Sequence, residues 1–532
     1  MLHNLNKMEE FYGFAGQTFG NNVSFYCTFA SCSSLEKIVM CSINATNLTD
    51  IGACFSGCNS LAYVDFSFFN APSLTSSYVG GWFNGCVSNV NIIFYGATLA
   101  ISNNNFFSAC SFPSNSILDF RHLKINSTSA SSIFAFTHNT AVLDLTGMDV
   151  SRVTNMNNLF LGCNFASRIN GIEYFDVSNA TTFEHTFQSF PNTTIDLSHW
   201  DVSSAISFAC MFKSASLSSI TGLEKWNTGN VINMSEMFEE SDLESVDIDH
   251  WDTHNVTDIT SIFYNCNQIY SLGNVYNKLY WDTSKISSMA TMFFGCGSLN
   301  RLDVSYFDTS HCTYFGGMFS NSRIEELNVS NFVFTGSDSN SLLFVTTSNV
   351  YGNDTHLIAK DWDFTRYRGT SYSLALIQGG YSYFDCSGWK LSPNIHTMLN
   401  MIVGLEYAKG VDISGWEGWE YITSFNAPII VENALSDNSN YYIFIDRDLD
   451  ASIAGDVPII SCKHLKTYYE DWDGIGHDLI QPNLNVTGNY DPSYAVISNP
   501  YGEGYFTDIQ FKDKVWEYRS FDGLPSICTE DV

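Results

Sequence analysis

The residues of this sequence whose type and spacing could do chemistry fall into columns. Asp144, Asp196, Asp247 and Asp303 each stand between two apolar residues, as in Leu143-Asp144-Leu145 and Val246-Asp247-Ile248. Apolar-polar-apolar alternation over so few residues reads as a short, half-buried strand with its carboxylate outward. The four are therefore a candidate acidic binding row on a sheet face. A second column, Asp149, Asp176, Asp201, Asp252, Asp282 and Asp308, precedes Val or Thr and, in most copies, Ser. A carboxylate so placed suits an Asx-turn, accepting a backbone N–H two residues on, and its expected role is structural.

The other candidates are weaker. Cys32, Cys58, Cys86, Cys110, Cys163, Cys266 and Cys296 recur at one position, but Ala215 and Ser241 fill it in sister copies, which points to a small buried residue holding a free thiol. Cys54-Phe55-Ser56-Gly57-Cys58 lacks the C-x-x-C pairing of a zinc site. His199 and His250 each precede a Trp, but two strand spacings would put them roughly 10 Å apart, too far to share an ion. Asp446-Arg447-Asp448-Leu449-Asp450 opens like a calcium loop, yet Ala451 and Val457 stand where Gly and Glu belong. It allows no more than a weak surface Ca2+ site, and no other cofactor or metal is expected. No nucleophile-elbow, phosphate-loop or zinc-protease motif is present, so no enzyme is expected.

The elements that must position these columns are repeats. An anchor (Met148, Phe175, Trp200, Trp226, Trp251, Trp281, Phe307) recurs at steps of 27, 25, 26, 25, 30 and 26 residues. A Phe follows each anchor by twelve positions: Phe160, Phe187, Phe212, Phe238, Phe263, Phe293 and Phe319. Phe332 and Phe344 continue the rule, and weaker copies run upstream to Phe29 and downstream to Trp389 and Trp416. One coil of this length cannot bury its Leu, Met, Phe and Trp alone, whereas stacked coils bury them in ladders. Between anchor and Phe, Asn233-Met234-Ser235-Glu236-Met237-Phe238 has the form of a capping box, which predicts one or two helical turns. The expected fold is a leucine-rich-repeat solenoid of short parallel strands and short helical turns, with about 14 coils of ~26 residues. The expected organisation is an N-terminal cap at 1–26, the solenoid at 27–430 and a β-rich C-terminal cap or attachment domain at 431–532.

Composition bounds the function. Among 532 residues, 23 are Lys or Arg and 55 are Asp or Glu, a net charge of −32, so nucleic acid is excluded as a partner through a basic face. Charged residues are only 15% and hydrophobic residues 45%, which suits a strand-and-turn stack better than a helical bundle or a disordered acidic chain. No long apolar run is present, so membrane insertion is not expected. The 15 cysteines are odd in number, and no signal peptide is read at the N-terminus.

The repeat resembles that of the BspA-like leucine-rich-repeat surface proteins, approximately L-x-x-L-D-L-S-x-F-D-T-S-x-V-x-x-M-x-x-M-F-x-G-C. It is carried here by Leu299-Asn300-Arg301-Leu302-Asp303-Val304-Ser305-Tyr306-Phe307-Asp308-Thr309-Ser310 and by Met289-Ala290-Thr291-Met292-Phe293-Phe294-Gly295-Cys296. The match is good over 148–344, weaker over 27–147 and 345–430, and absent beyond. The resemblance implies a non-enzymatic adhesion or recognition protein that binds a protein or glycan receptor; related repeats occur in phage virion proteins. Without a leader, the expected setting is a phage virion fibre, spike or capsid decoration, folded in the cytoplasm before release and contacting other virion proteins through 431–532. A cell-surface or secreted adhesin, a pure scaffold and, least favoured, a glycan-cleaving enzyme are the alternatives.

Overall fold

The computed structural model describes residues 23–74, 91–100, 117–135, 142–163, 168–191, 194–335, 345–347 and 355–368, with shorter segments before residue 23 and between 371 and 487. The chain forms two compact units, Met1–Asn255 and Val256–Val532.

In the first unit, seven three-residue strands pair in parallel: Glu10–Tyr12, Lys37–Val39, Tyr63–Asp65, Asn91–Ile93, Ile117–Asp119, Val142–Asp144 and Arg168–Asn170. Parallel pairing thus already begins inside residues 1–26. The central residues Ile38, Val64, Ile92, Leu118 and Leu143 are buried, and the flanking side chains lie at the surface. Thr194–Asp196 and Ser219–Thr221 form a further parallel pair. In the second unit, Arg301–Asp303, Glu326–Asn328, His356–Ile358, Tyr383–Asp385 and Gly410–Asp412 continue in parallel into Tyr442–Ile445 and Ile459–Ser461, and Val486–Thr487 pairs antiparallel at the end. The fold is the expected leucine-rich-repeat type of parallel solenoid. Most of 431–532 lies outside the described residues.

The expected helical turns are corrected. Among the described residues there is no α-helix; short 3-10 turns stand at Ile172–Tyr174 and Leu223–Lys225. Phe208, Cys210, Phe212 and Ser214 donate their N–H groups across to Asn233, Ser235, Met237 and Glu239 of the next coil at 2.6–2.9 Å. The residues between them close tight turns, Met211 to Phe208, Lys213 to Cys210 and Ala215 to Phe212. A helix would spend every N–H within its own coil; here half bind the neighbouring coil and hold the stack in register. Asn233 accepts the Ser235 N–H at 2.8 Å, and Glu236 reaches Lys213 of the preceding coil at 2.5 Å instead of returning to Asn233. Every such segment needs left-handed residues, Cys210, Ser214, Glu236 and Glu240 among them. Asn, Ser and Thr, which serve turns better than helix interiors, supply much of the surrounding chain.

Aromatic ladders fill the interior. Phe134, Phe160, Phe187, Phe212 and Phe238 stack at successive centroid distances of 5.5, 5.5, 5.6 and 5.7 Å with planes within 9°. In the second unit Phe263, Phe293 and Phe319 stack at 5.4 and 5.7 Å with planes within 12°, and Trp362, Trp389 and Trp416 stack at 4.7 Å. No helix among the described residues is long and apolar enough to cross a membrane.

Buried anchor indoles need an acceptor. Trp200 Nε1 donates to the Ile172 carbonyl at 2.9 Å and Trp251 Nε1 to that of Leu223 at 3.0 Å, whereas the buried Trp226 Nε1 has no partner. Replacing Trp251 by Phe should therefore cost about 0.5–1.5 kcal/mol more than the same change at Trp226, because only Trp251 loses a hydrogen bond. Urea midpoints of the two variants check this; equal losses would contradict it.

Candidate functional site

The strand carboxylates do not form one acidic row. Asp144 is half-buried at the end of its strand, Asp196 and Asp247 are exposed, and Asp303, expected outward, is 1% exposed. In the register Asp144 pairs with Asn170 and Asp196 with Thr221, so neutral residues interrupt the column. Asp303 lies in the second unit, buried because Lys278 of the preceding coil covers it, Nζ to Oδ2 3.4 Å. Three of the four also fasten turns: Asp144 accepts the Thr146 N–H at 3.0 Å, Asp196 that of Ser198 at 2.9 Å and Asp303 that of Ser305 at 2.9 Å.

The second column behaves as expected. Asp149, Asp176, Asp201, Asp252, Asp282 and Asp308 each accept the N–H two residues on, at 2.9–3.2 Å. The bonds favour the anion. The Ser198 N–H and hydroxyl hold Asp196 below the usual carboxylate range, and the Ser203 hydroxyl and N–H do so for Asp201. A folded pKa below the unfolded value gives stability that is present above the ordinary carboxylate pKa near 4 and is lost as pH falls through the folded value. Urea midpoints should thus hold level down to about pH 4 and drop below it; a flat profile down to pH 2 would contradict this.

The cysteine column is free and buried at Cys32, Cys58, Cys163, Cys266 and Cys296; Cys86 and Cys110 lie outside the described residues. Cys58 Sγ donates to the Phe29 carbonyl of the preceding coil at 3.1 Å and Cys163 Sγ to that of Phe134 at 2.6 Å, whereas in a sister coil the Ser322 hydroxyl donates to Phe319 of its own coil. Burial pushes the Cys58 thiol up to about 11 and those of Cys210 and Cys312 to about 12, so little thiolate forms at neutral pH. Among the described cysteines of the native chain the half-buried Cys27 and Cys41 should react first with a thiol reagent, and most of the 15 cysteines should react once the chain is denatured without reductant. Largely blocked thiols after denaturation would contradict this.

One imidazole and two carboxylates meet at Asp247, Asp249 and His250, whose ligand atoms lie within 4.8 Å of one another. His250 Nε2–H donates to the Glu224 carbonyl at 2.9 Å while Nδ1 faces Asp249 at 3.1 Å. Burial opposes the charge on His250, but the Asp249 contact and the carbonyl bond outweigh it and raise its pKa. These residues could hold a cation, although exposed groups of this kind are common without one. The Asp446–Asp450 run lies outside the described residues.

A surface row that sequence reasoning missed stands one residue before each buried anchor. In the first unit it contains Ser42, Phe68, Gly96, His122, Gly147, Tyr174, His199, Lys225 and His250. The signal was in the sequence, since His199 and His250 already marked the position. Phe68 and Tyr95 meet edge to face at 5.5 Å, Tyr95 and His122 at 5.4 Å, and Tyr174 and His199 lie 5.6 Å apart. Cations lie over such rings. Lys37 Nζ is 5.0 Å from the Tyr12 centroid and 5.4 Å from that of Tyr63, and Arg121, paired to Asp119 at 2.8 Å, lies 5.4 Å from Tyr95. Phe68 and His122 hold the left-handed backbone at φ 56° and 57° while exposed. Sister coils put Gly96 and Gly147 there.

Residues 128–242, 218–278 and 245–357 match a protein-family model described as "Mycoplasma protein of unknown function, DUF285". A solved structure described as the crystal structure of a TLR13–ssRNA13 complex is 11% identical, with a TM-score of 0.24, and the alignment covers 80% of this chain and 63% of that one. No curated protein matches the chain. The similarity to the Mycoplasma family is thus confined to the stretch where the repeat is most regular, 128–357.

Proposed function

We propose that the chain is a non-enzymatic recognition protein that presents the row beside its buried anchors to a protein or glycan receptor, on a virion or a cell surface. The observation that carries this reading is the backbone of Phe68 and His122. A bulky residue held at positive φ costs about 1–2 kcal/mol relative to glycine, and an exposed ring recovers little of that by burial. A large ring kept in this conformation at the surface, where sister coils place glycine (Gly96, Gly147) or a small polar residue (Ser42, Asn331, Asp361), supports a role in contact. The aspartates fit this reading too. Carboxylates held as anions by backbone N–H groups suit turn-fastening better than proton transfer. Free thiols among the described residues support folding in a reducing compartment before display.

The test is a glycan and protein array probed with the full chain and with a variant carrying Phe68→Gly, His122→Gly, Tyr280→Ala and Tyr306→Ala. The parent is expected to give reproducible hits and the variant to lose them with no loss of thermal stability. No hits from the parent, or the same hits from the folded variant, would refute the reading.

A further inference from the structure

We propose that the surface around Tyr280 and Tyr306 in the second unit binds an uncharged glycan. This rests on the recognition reading and names its ligand class. Tyr280 precedes Trp281 and Tyr306 precedes Phe307, in coils set in register by the Lys278–Asp303 bridge. The two rings meet edge to face at 4.9 Å and remain 52% and 60% exposed. Lys278 Nζ lies 5.8 and 5.0 Å from their centroids while pairing with the buried Asp303. Beside them, Arg301 lies 5.3 Å from the Tyr276 ring and pairs with Glu326.

The platform is built in advance. The 30-residue step before Trp281 adds a loop that the shorter coils lack. Asn274 Oδ1 accepts the N–H groups of Tyr276 and Lys278 at 3.1 and 3.0 Å. The buried Asn277 accepts the Leu272 N–H at 2.8 Å and donates to the carbonyls of Tyr270 and Arg301 at 3.0 Å. A loop pinned at both asparagines loses little freedom on binding, yet it leaves Val275 84% exposed.

Charge and shape select the ligand class. Both cations among these rings are matched by carboxylates, so on a chain of net charge −32 neither is left for an anionic partner to read. A peptide adding as a strand would need a free edge, but Arg301–Asp303 is paired with Glu326–Asn328 on one side and bridged to Lys278 on the other. A broad apolar protein face would shut two ion pairs and the phenol hydroxyls away from water, at a desolvation cost. A sugar ring matches the surface: its C–H face lies on a tyrosine ring, and its hydroxyls keep the phenols and ion pairs hydrogen-bonded.

The probes are soluble neutral oligomers of glucose, galactose, mannose and N-acetylglucosamine, titrated into the full chain by calorimetry and saturation-transfer NMR. At least one is expected to bind. Tyr280→Ala with Tyr306→Ala should weaken it tenfold or more, Tyr280→Phe with Tyr306→Phe by only a few-fold, and Tyr26→Ala, an exposed ring of the first unit outside the row, not at all. Affinity should change less than twofold between low and high salt, because no net charge is screened. Circular dichroism should show all variants folded, since these rings are exposed. The proposal is overturned if no neutral oligomer binds, if binding survives in the folded double-alanine variant, or if binding weakens steeply with salt. If the parent binds a protein receptor and no glycan, the recognition reading stands and this inference fails.

Discussion

Replacing Gly222 by alanine should destabilise the first unit by about 3–5 kcal/mol, the largest loss expected from adding one methyl group. Gly222 sits at φ +104°, outside the range L residues adopt readily, so strain arises before any contact is counted. The new Cβ would lie 2.4 Å from both Cα and N of Ser198 and 2.7 Å from the Leu197 carbonyl carbon. These are backbone atoms with no rotamer to change. The Leu197 N–H is bonded to Thr221 and the Ser198 N–H to Asp196, so moving them breaks the register of two coils. Gly171 has the same construction against Leu145 and Thr146. Gly229 is the control: there the nearest atom is a side-chain oxygen of Asp252 at 3.1 Å, and alanine should cost under about 1 kcal/mol. Urea denaturation followed by tryptophan fluorescence checks the pair, and a Gly222→Ala loss below about 1 kcal/mol would show the close approach to be wrong.

Phe212→Ala should cost about 3–5 kcal/mol, because the ring it removes is fully buried and stacked on both sides. Phe187 lies 5.6 Å and Phe238 5.7 Å away, with planes within 4°. Coils that pair through their backbones cannot close the gap without losing those bonds, so a cavity remains. The exposed Phe68 is the comparison, and its replacement by alanine should stay within about 1 kcal/mol of the parent. Similar losses at both positions would mean that the Phe column is not the core.

The sequence carried the solenoid because the repeat is dense. Phe160, Phe187, Phe212 and Phe238 keep one offset from their anchors, and a residue at fixed offset in a stack must contact its own copy. The Asx role of Asp149 and Asp201 was readable from the Ser two positions on. The helical turns were misread because Met234, Met237 and Phe238 have spacings that suit a helix and a chain of β-turns alike, and only the inter-coil bonds decide between them. Asp303 could not be seen as buried, since its cover comes from Lys278 in the coil before. Trp362 was missed as an anchor because the period breaks ahead of it, although Trp362-Asp363 carries the motif. The surface row escaped because its residue types vary from Phe to Gly to His to Tyr while only its position stays fixed.

The central claim is that coils stack in parallel at a fixed register, so that every column of the sequence becomes a row on the molecule. Thr194 and Ser219 are register partners on adjacent strands, with the buried Ile220 next in line. Neighbouring strands lie about 4.8 Å apart, within the Cα separation that a disulfide spans. Mild oxidation of a chain carrying Thr194→Cys and Ser219→Cys, mapped by mass spectrometry, is the direct measurement. The account predicts a 194–219 disulfide in high yield and little product when cysteine is placed at 194 and 220 instead. No 194–219 link, or a preference for 194–220, would contradict it.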